Sequence, residues 1–232
     1  MSFKRIIFVM KIRKFIGLSA LISALSTSLF AEQQFKSLAE IQDLADHGNV
    51  LAQFSMGFHY QQQNNDRDAS VWYEKAAQQG HVTAQYLLAK NYLEGKGVTQ
   101  NTPKAFEWFK KAAEQNDLYT QVQLADMYCN GIGTKQDKKK AIDWYTKSAD
   151  QGSSDAQYKL GEIYAKGDGI PKNIEIALAW HTKAAQQNHP FALSALSKMY
   201  RLGQGVKKDL DKANFWQDKY LEQINMPMQM NK

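Results

Sequence analysis

One cysteine, Cys129, stands in 232 residues. A lone thiol forms no intramolecular disulfide, so packing must hold the fold, and Cys129 reads as a small apolar filler. Proline is scarce too, with four residues, which leaves the placing of the 14 glycines as the main punctuation. Catalytic spacings are missing. No Ser lies three before a Lys, and G-x-S-x-G, H-E-x-x-H and the phosphate-binding G-x4-G-K-[ST] do not occur. The histidines, His47, His59, His81, His181 and His189, include no i, i+4 pair of the kind that holds zinc. His181 reads as a packing residue, and His81 and His189 as solvated or capping residues. No catalytic residue, cofactor site or metal site is expected.

A surplus of one charge is also missing once the N-terminus is set apart. The whole chain carries net +6. Residues 1–31 hold Lys4, Arg5, Lys11, Arg13 and Lys14 and no acid, so the remainder is close to neutral at +1. Nucleic-acid binding needs a basic face that neutralises phosphates, and none is offered. Lys138-Lys139-Lys140 reads as the solvated start of a helix. The apolar run Phe15–Phe30 is short and dotted with serines, which argues against a membrane span. A basic stretch, a short apolar stretch and a closing Ala31 describe a cleavable signal peptide over 1–31, with Met1 or Met10 as the start. The mature chain is then expected in the periplasm or outside the cell. An uncleaved, membrane-tethered form is the alternative.

Against these absences stands a strict period. Trp72, Trp108, Trp144, Trp180 and Trp216 are 36 residues apart every time. Tyr92, Tyr128, Tyr164 and Tyr200 keep the spacing, as do Gly95, Gly131, Gly167 and Gly203 and the glycines two residues after each. A fixed period of this size marks stacked helical repeats. In the second helix of each repeat, Ala105, Trp108, Phe109, Ala112 and Ala113 define one face, with the indole expected to fill the room the alanines leave. Asn65, Asn101, Asp137, Asn173 and Asp209 stand seven before each Trp as N-terminal caps, and Pro103 suits a first turn. Gly80, Asn116, Gly152 and Asn188 suit left-handed stops. In the first helices Ala84, Leu88 and Tyr92, and their equivalents, define the inner face; the paired glycines that follow make a tight turn.

The first repeat departs from the grid, because Gln61-Gln62-Gln63-Asn64 replaces the glycine turn. Before it, the capping box Ser37-Leu38-Ala39-Glu40 opens one extra helix. The last repeat exchanges its alanine pair for Tyr220-Leu221, as a closing repeat does. The expected organisation is a signal peptide (1–31), an N-terminal capping helix (32–48), repeats over 49–80, 81–116, 117–152, 153–188 and 189–223, and a tail (224–232).

The unit A-x3-L-x3-Y-x2-G-x-G-[VI], a link with Asn or Asp, then A-x2-W-[YF]-x2-A-A-x2-[GN], resembles the Sel-one-like repeat over about residues 45–220. The resemblance implies an all-α fold, a right-handed α/α superhelix (solenoid) with a concave binding face, and an adaptor role. Secreted bacterial members are linked to envelope functions and host-cell interaction. One cysteine-rich branch, with a Cys pair in each repeat, is linked to binding or hydrolysing β-lactams. A β-lactam- or cell-wall-directed hydrolase is therefore the alternative to a non-catalytic scaffold. Because the recurring residues are explained by packing, turns and caps, binding to a protein partner must use non-recurring positions expected to be exposed on the first helices. Tyr86, Leu87, Lys90, Gln123, Asp126, Lys159 and Glu162 are the candidates. A monomer is expected.

Overall fold

The computed structural model describes residues 37–225; the expected signal peptide and the residues after 225 lie outside them. Among the described residues there are eleven helices and no strand. They are α1 (Leu38–Asp46), α2 (Val50–Gln62), α3 (Asp66–Gln78), α4 (Val82–Glu94), α5 (Thr102–Ala113), α6 (Leu118–Asn130), α7 (Lys138–Asp150), α8 (Ser154–Lys166), α9 (Ile174–Gln186), α10 (Pro190–Leu202) and α11 (Leu210–Asn225). The chain divides into two compact units. The first runs to Met127 and includes Gly131–Lys135; the second holds Tyr128–Asn130 and everything from Gln136 onward. α1 precedes the first helix pair, where the capping box placed it, and Ser37 Oγ accepts from Glu40 N–H at 3.2 Å.

One device starts every helix. The residue before it turns a side-chain acceptor onto the backbone N–H three residues on, satisfying a donor that the helix leaves open. Asn65, Asn101, Asp137, Asn173 and Asp209 do this for the second helices. Asn49, His81, Asp117, Ser153 and His189 do it for the first helices. Such a cap contributes about 1 kcal/mol. Second helices stop at left-handed Gly80, Asn116, Gly152 and Asn188, as the sequence predicts.

The two turn glycines have different jobs. Gly95, at φ 70°, closes α4 in the left-handed region, which costs a residue with a Cβ about 1 kcal/mol or more. Gly97 is also left-handed, but a Cβ there would stand 2.0 Å from the carbonyl oxygen of Asp66 at the start of α3. The second glycine therefore lets one repeat's turn lie against the preceding helix backbone.

The core differs from expectation at one column. Tyr73, Phe109, Tyr145 and His181, each one residue after a tryptophan, are fully buried. Trp72 is also buried, but Trp108, Trp144 and Trp180 are only half-buried. The space beside the alanines is filled by the residue after the indole, which points into its own repeat. A Cβ on Gly57 would meet the Tyr73 ring at 2.5 Å, and one on Gly161 would meet the His181 ring at 2.5 Å. The indoles lie further round the helix. A lysine three residues on covers each face, with Nζ 3.7 Å (Lys75), 4.2 Å (Lys111), 4.2 Å (Lys147) and 4.1 Å (Lys183) from the ring centre.

A buried glutamine ladder also holds each unit. Gln53 and Gln85 donate to the carbonyls of Ala45 and Ala77, and Gln157 to that of Ala149. Their amide oxygens accept from Gln79, Gln115 and Gln187 at 2.7 to 2.9 Å. Buried amides are tolerable only when paired in this way.

Candidate functional site

The seven candidate positions fall into two groups. Tyr86, Leu87 and Lys90 on α4, with Gln123 and Asp126 on α6, belong to the first unit; Lys159 and Glu162 on α8 belong to the second. Exposure corrects two of them. Tyr86 is 6% and Leu87 3% exposed. Residues Ala84–Ala89 are all buried because α4 is packed against both α3 and α5. The Tyr86 ring meets Phe109 edge-on at 5.8 Å and Tyr119 at 5.3 Å. Burial is the main cause, and contact with Tyr119 the next, of a phenol held well above its usual titration range. Tyr86 and Leu87 are core residues, not surface ones.

The other five reach solvent in part. Lys90 Nζ lies 3.7 Å from Glu94 one turn on. Glu162 pairs with Lys166 at 2.5 Å, and its other oxygen lies 3.9 Å from the buried Nε2 of His181. Gln123 and Lys159 share a repeat position, and so do Lys90, Asp126 and Glu162. Two aromatic side chains escaped the sequence reading. Phe58 occupies the Lys90 position in the first repeat, which the shortened loop takes off the 36-residue grid; it is half-buried and stacked on Phe54 at 6.5 Å. Phe191 is 63% exposed. It tilts against Tyr158 at 5.8 Å and His189 at 6.0 Å. The same repeat position holds Thr83, Tyr119 and Asp155 elsewhere, so the repeat pattern does not single it out.

His81 and His189 serve the fold as helix caps. His81 Nδ1 accepts from Ala84 N–H at 3.2 Å while the ring stacks on Phe54 at 4.4 Å, and burial lowers its pKa to about 4. His189 caps α10 in the same way, stacks on Tyr158 at 4.8 Å, and its Nε2 stands 3.1 Å from Asp155. That hydrogen bond holds the Asp155 carboxyl below its usual range. In the basic run, Lys138 reaches Asp168 and Lys140 lies over the Tyr128 ring at 5.4 Å. Among the described residues no three His, Cys, Asp or Glu side chains gather closely enough to hold a metal ion. No described helix is long and apolar enough to cross a membrane.

Helix pairs with this capping, glycine turn and buried aromatic define an all-α repeat protein of the solenoid class. The Sel1 repeat matches five times, at residues 50–81, 82–117, 119–153, 154–189 and 190–216, and the chain belongs to the Sel1 repeat family. It is similar to c5321, a protective antigen present in uropathogenic Escherichia coli strains that displays an SLR fold. Identity there is 31% with a TM-score of 0.77 over 81% of this chain, and the chain spans only 41% of the length of that protein. A Sel1 repeat protein from Oxalobacter formigenes is 30% identical with a TM-score of 0.72, over 76% of this chain and 74% of the other. No curated protein sequence matches the chain. Sel1 repeat proteins are generally non-catalytic scaffolds for protein interaction.

Proposed function

We propose that this chain is a non-catalytic interaction scaffold working in the periplasm or outside the cell, and that it holds a protein partner on the exposed positions of its first helices, the face expected to be concave. The observation that carries the reading is variation within a constant frame. Caps, turns and buried aromatics recur, whereas the solvent-reaching positions change from Lys90 to Asp126 to Glu162, and from Gln123 to Lys159. Charge that changes from repeat to repeat discriminates between partners through electrostatic complementarity. The basic and apolar N-terminal segment supports export, and the mass of the protein recovered from its own cell tests that part directly.

For binding, the protein is used as bait in the native envelope fraction beside a variant carrying Lys90→Glu, Asp126→Lys and Lys159→Glu. A partner captured by the parent and lost with the variant, at unchanged helical circular dichroism, is the expected result. A partner held equally by both would move the site off the first helices.

A further inference from the structure

Among the described residues, the last helix pair leaves apolar surface uncovered. Leu202, Leu210, Phe215 and Ile224 are each more than half exposed, and Leu221 is exposed as well. On α11, Ala213, Trp216 and Tyr220 face the core. Leu210, Asn214, Gln217, Leu221 and Ile224 follow at steps of four, three, four and three residues and form a second stripe beside that face. In α9 the same stripe is closed: His181 and Ala185 are buried, and Ile174 and Leu178 pack against the core.

The stripe is not built for one more repeat of the same kind. The buried pair Ala184-Ala185, which permits close helix approach, is replaced by Tyr220-Leu221, and the buried ring of His181 by Gln217. Charge indicates what it takes instead. α10 exposes Lys198 and Arg201 and contains no acid. α11 carries Asp211, Asp218 and Glu222 beside the stripe. Its lysines lie on the far side, Lys212 near Asp209 at 3.6 Å and Lys219 over the Phe215 ring at 5.3 Å. The last helix pair thus offers two cations on α10, three acids along one edge of α11, and a stripe apolar at Leu210, Leu221 and Ile224 around Asn214 and Gln217. A two-fold axis that lays α10 of one copy along α11 of the other matches both charges twice and covers the stripe twice, as an isologous interface requires.

We propose that α10 and α11 form the interface of a homodimer, the occupant of this surface being a second copy of the chain. This departs from the expected monomer; it uses the first helix of the last repeat, whose Lys198 shares the repeat position of Lys90, Asp126 and Glu162, but none of the seven candidate residues of the partner site. Sedimentation equilibrium of the protein, as its host processes it, from about 1 to about 100 µM should show the mass rising from one chain to two. Leu221→Glu with Ile224→Glu should stay monomeric throughout at unchanged helical circular dichroism. Lys198→Glu with Arg201→Glu should weaken the dimer at least tenfold. Adding Asp211→Lys and Asp218→Lys to that same chain should restore it. The proposal is overturned by a parent protein monomeric at every concentration, by a dimer that survives the two glutamates on the stripe, or by a fourfold charge-reversed chain that associates no better than the twofold one.

Discussion

The two units face the same packing problem and divide its polar burden differently. In the first, Asn91 is buried on α4 and donates to Ser70 Oγ on α3 at 2.8 Å, while Ser70 donates to the Lys96 carbonyl at 3.3 Å. Tyr73 is fully buried yet places its hydroxyl 2.7 Å from Gln61 Oε1. The first unit already uses an apolar pair at the next equivalent position, Met127 with Phe106, and in the second unit the equivalents are Ile163 with Ile142, then Met199 with Leu178. There the apolar solution is complete, but the aromatic position holds His181, whose Nδ1 is buried with no hydrogen-bond partner. A repeat position is therefore a shape before it is a chemistry. A polar occupant is tolerated where its opposite position changes with it, as Ser70 does for Asn91, and is left exposed to cost where it does not, as at His181.

The largest effect expected from this comparison lies at the turn glycines. Gly97 in the first unit would drive a Cβ into the backbone oxygen of Asp66 at 2.0 Å, whereas Gly169 in the second would meet Lys138 Cβ at 2.8 Å. Both are left-handed, at φ 71° and 82°. Gly97→Ala combines the left-handed penalty with an overlap against backbone that cannot turn aside, for about 3–5 kcal/mol; Gly169→Ala should cost about 2 kcal/mol. Chemical denaturation monitored by circular dichroism compares them. Equal losses would mean that φ alone matters and that the close approach does not.

The next effect is pH dependence through His181. Burial lowers its pKa from 6.5 to about 4. Between those values the unfolded chain binds a proton that the folded chain does not, so stability is complete above about pH 6.5 and is lost as the pH falls toward 4. At pH 5 the loss from this one group is about 2 kcal/mol. Glu162, 3.9 Å from Nε2, works against the shift, while His189 and Lys166 reinforce it. His181→Phe places in the second unit the residue that Phe109 supplies in the first. It should flatten the acid limb and also relieve the unpaired nitrogen at pH 7.5, for about 1 kcal/mol. An unchanged difference between melts at pH 5 and pH 7.5 would show that the ring is not the titrating group. His81, also lowered to about 4 in the first unit, retains its own share of the acid loss in that variant.

What the sequence made legible follows from periodicity. Trp, Tyr and Gly at a 36-residue spacing located the helix pairs, the N-terminal caps and the left-handed stops, because each is a local requirement of backbone geometry. Long-range contacts were less legible. The period showed that Trp108 and Phe109 share a face but not which of them points inward; a difference of one residue turns the side chain by about 100°, and the packing of the neighbouring helix decides. The same ambiguity placed Tyr86 and Leu87 on the surface, though both sides of α4 are covered. The glutamine ladder was visible in principle, since Gln85, Gln121 and Gln157, and Gln79, Gln115 and Gln187, recur on the grid. Residue type alone points the other way, because glutamine is usually a surface residue.

The smallest expected effect is also the most discriminating, because it exchanges one unit's solution for the other's. Ser70→Ala alone removes the acceptor of the Asn91 amide and leaves a buried donor open, for about 1–2 kcal/mol. Asn91→Met with Ser70→Leu installs in the first unit the pair found at Met199 and Leu178. Its cost should be well below the sum of Asn91→Met and Ser70→Leu taken singly, because both polar partners leave together and no buried donor of the pair is left open. The Lys96 carbonyl loses the Ser70 hydroxyl, but Lys96 lies in a turn that is only partly covered, where water can replace that bond. Denaturant midpoints for Asn91→Met, Ser70→Leu and the double close the cycle, with a coupling of about 1 kcal/mol or more expected. Strict additivity would mean that the two positions do not act as a pair, and the polar and apolar forms of this contact would then owe their difference to each helix separately.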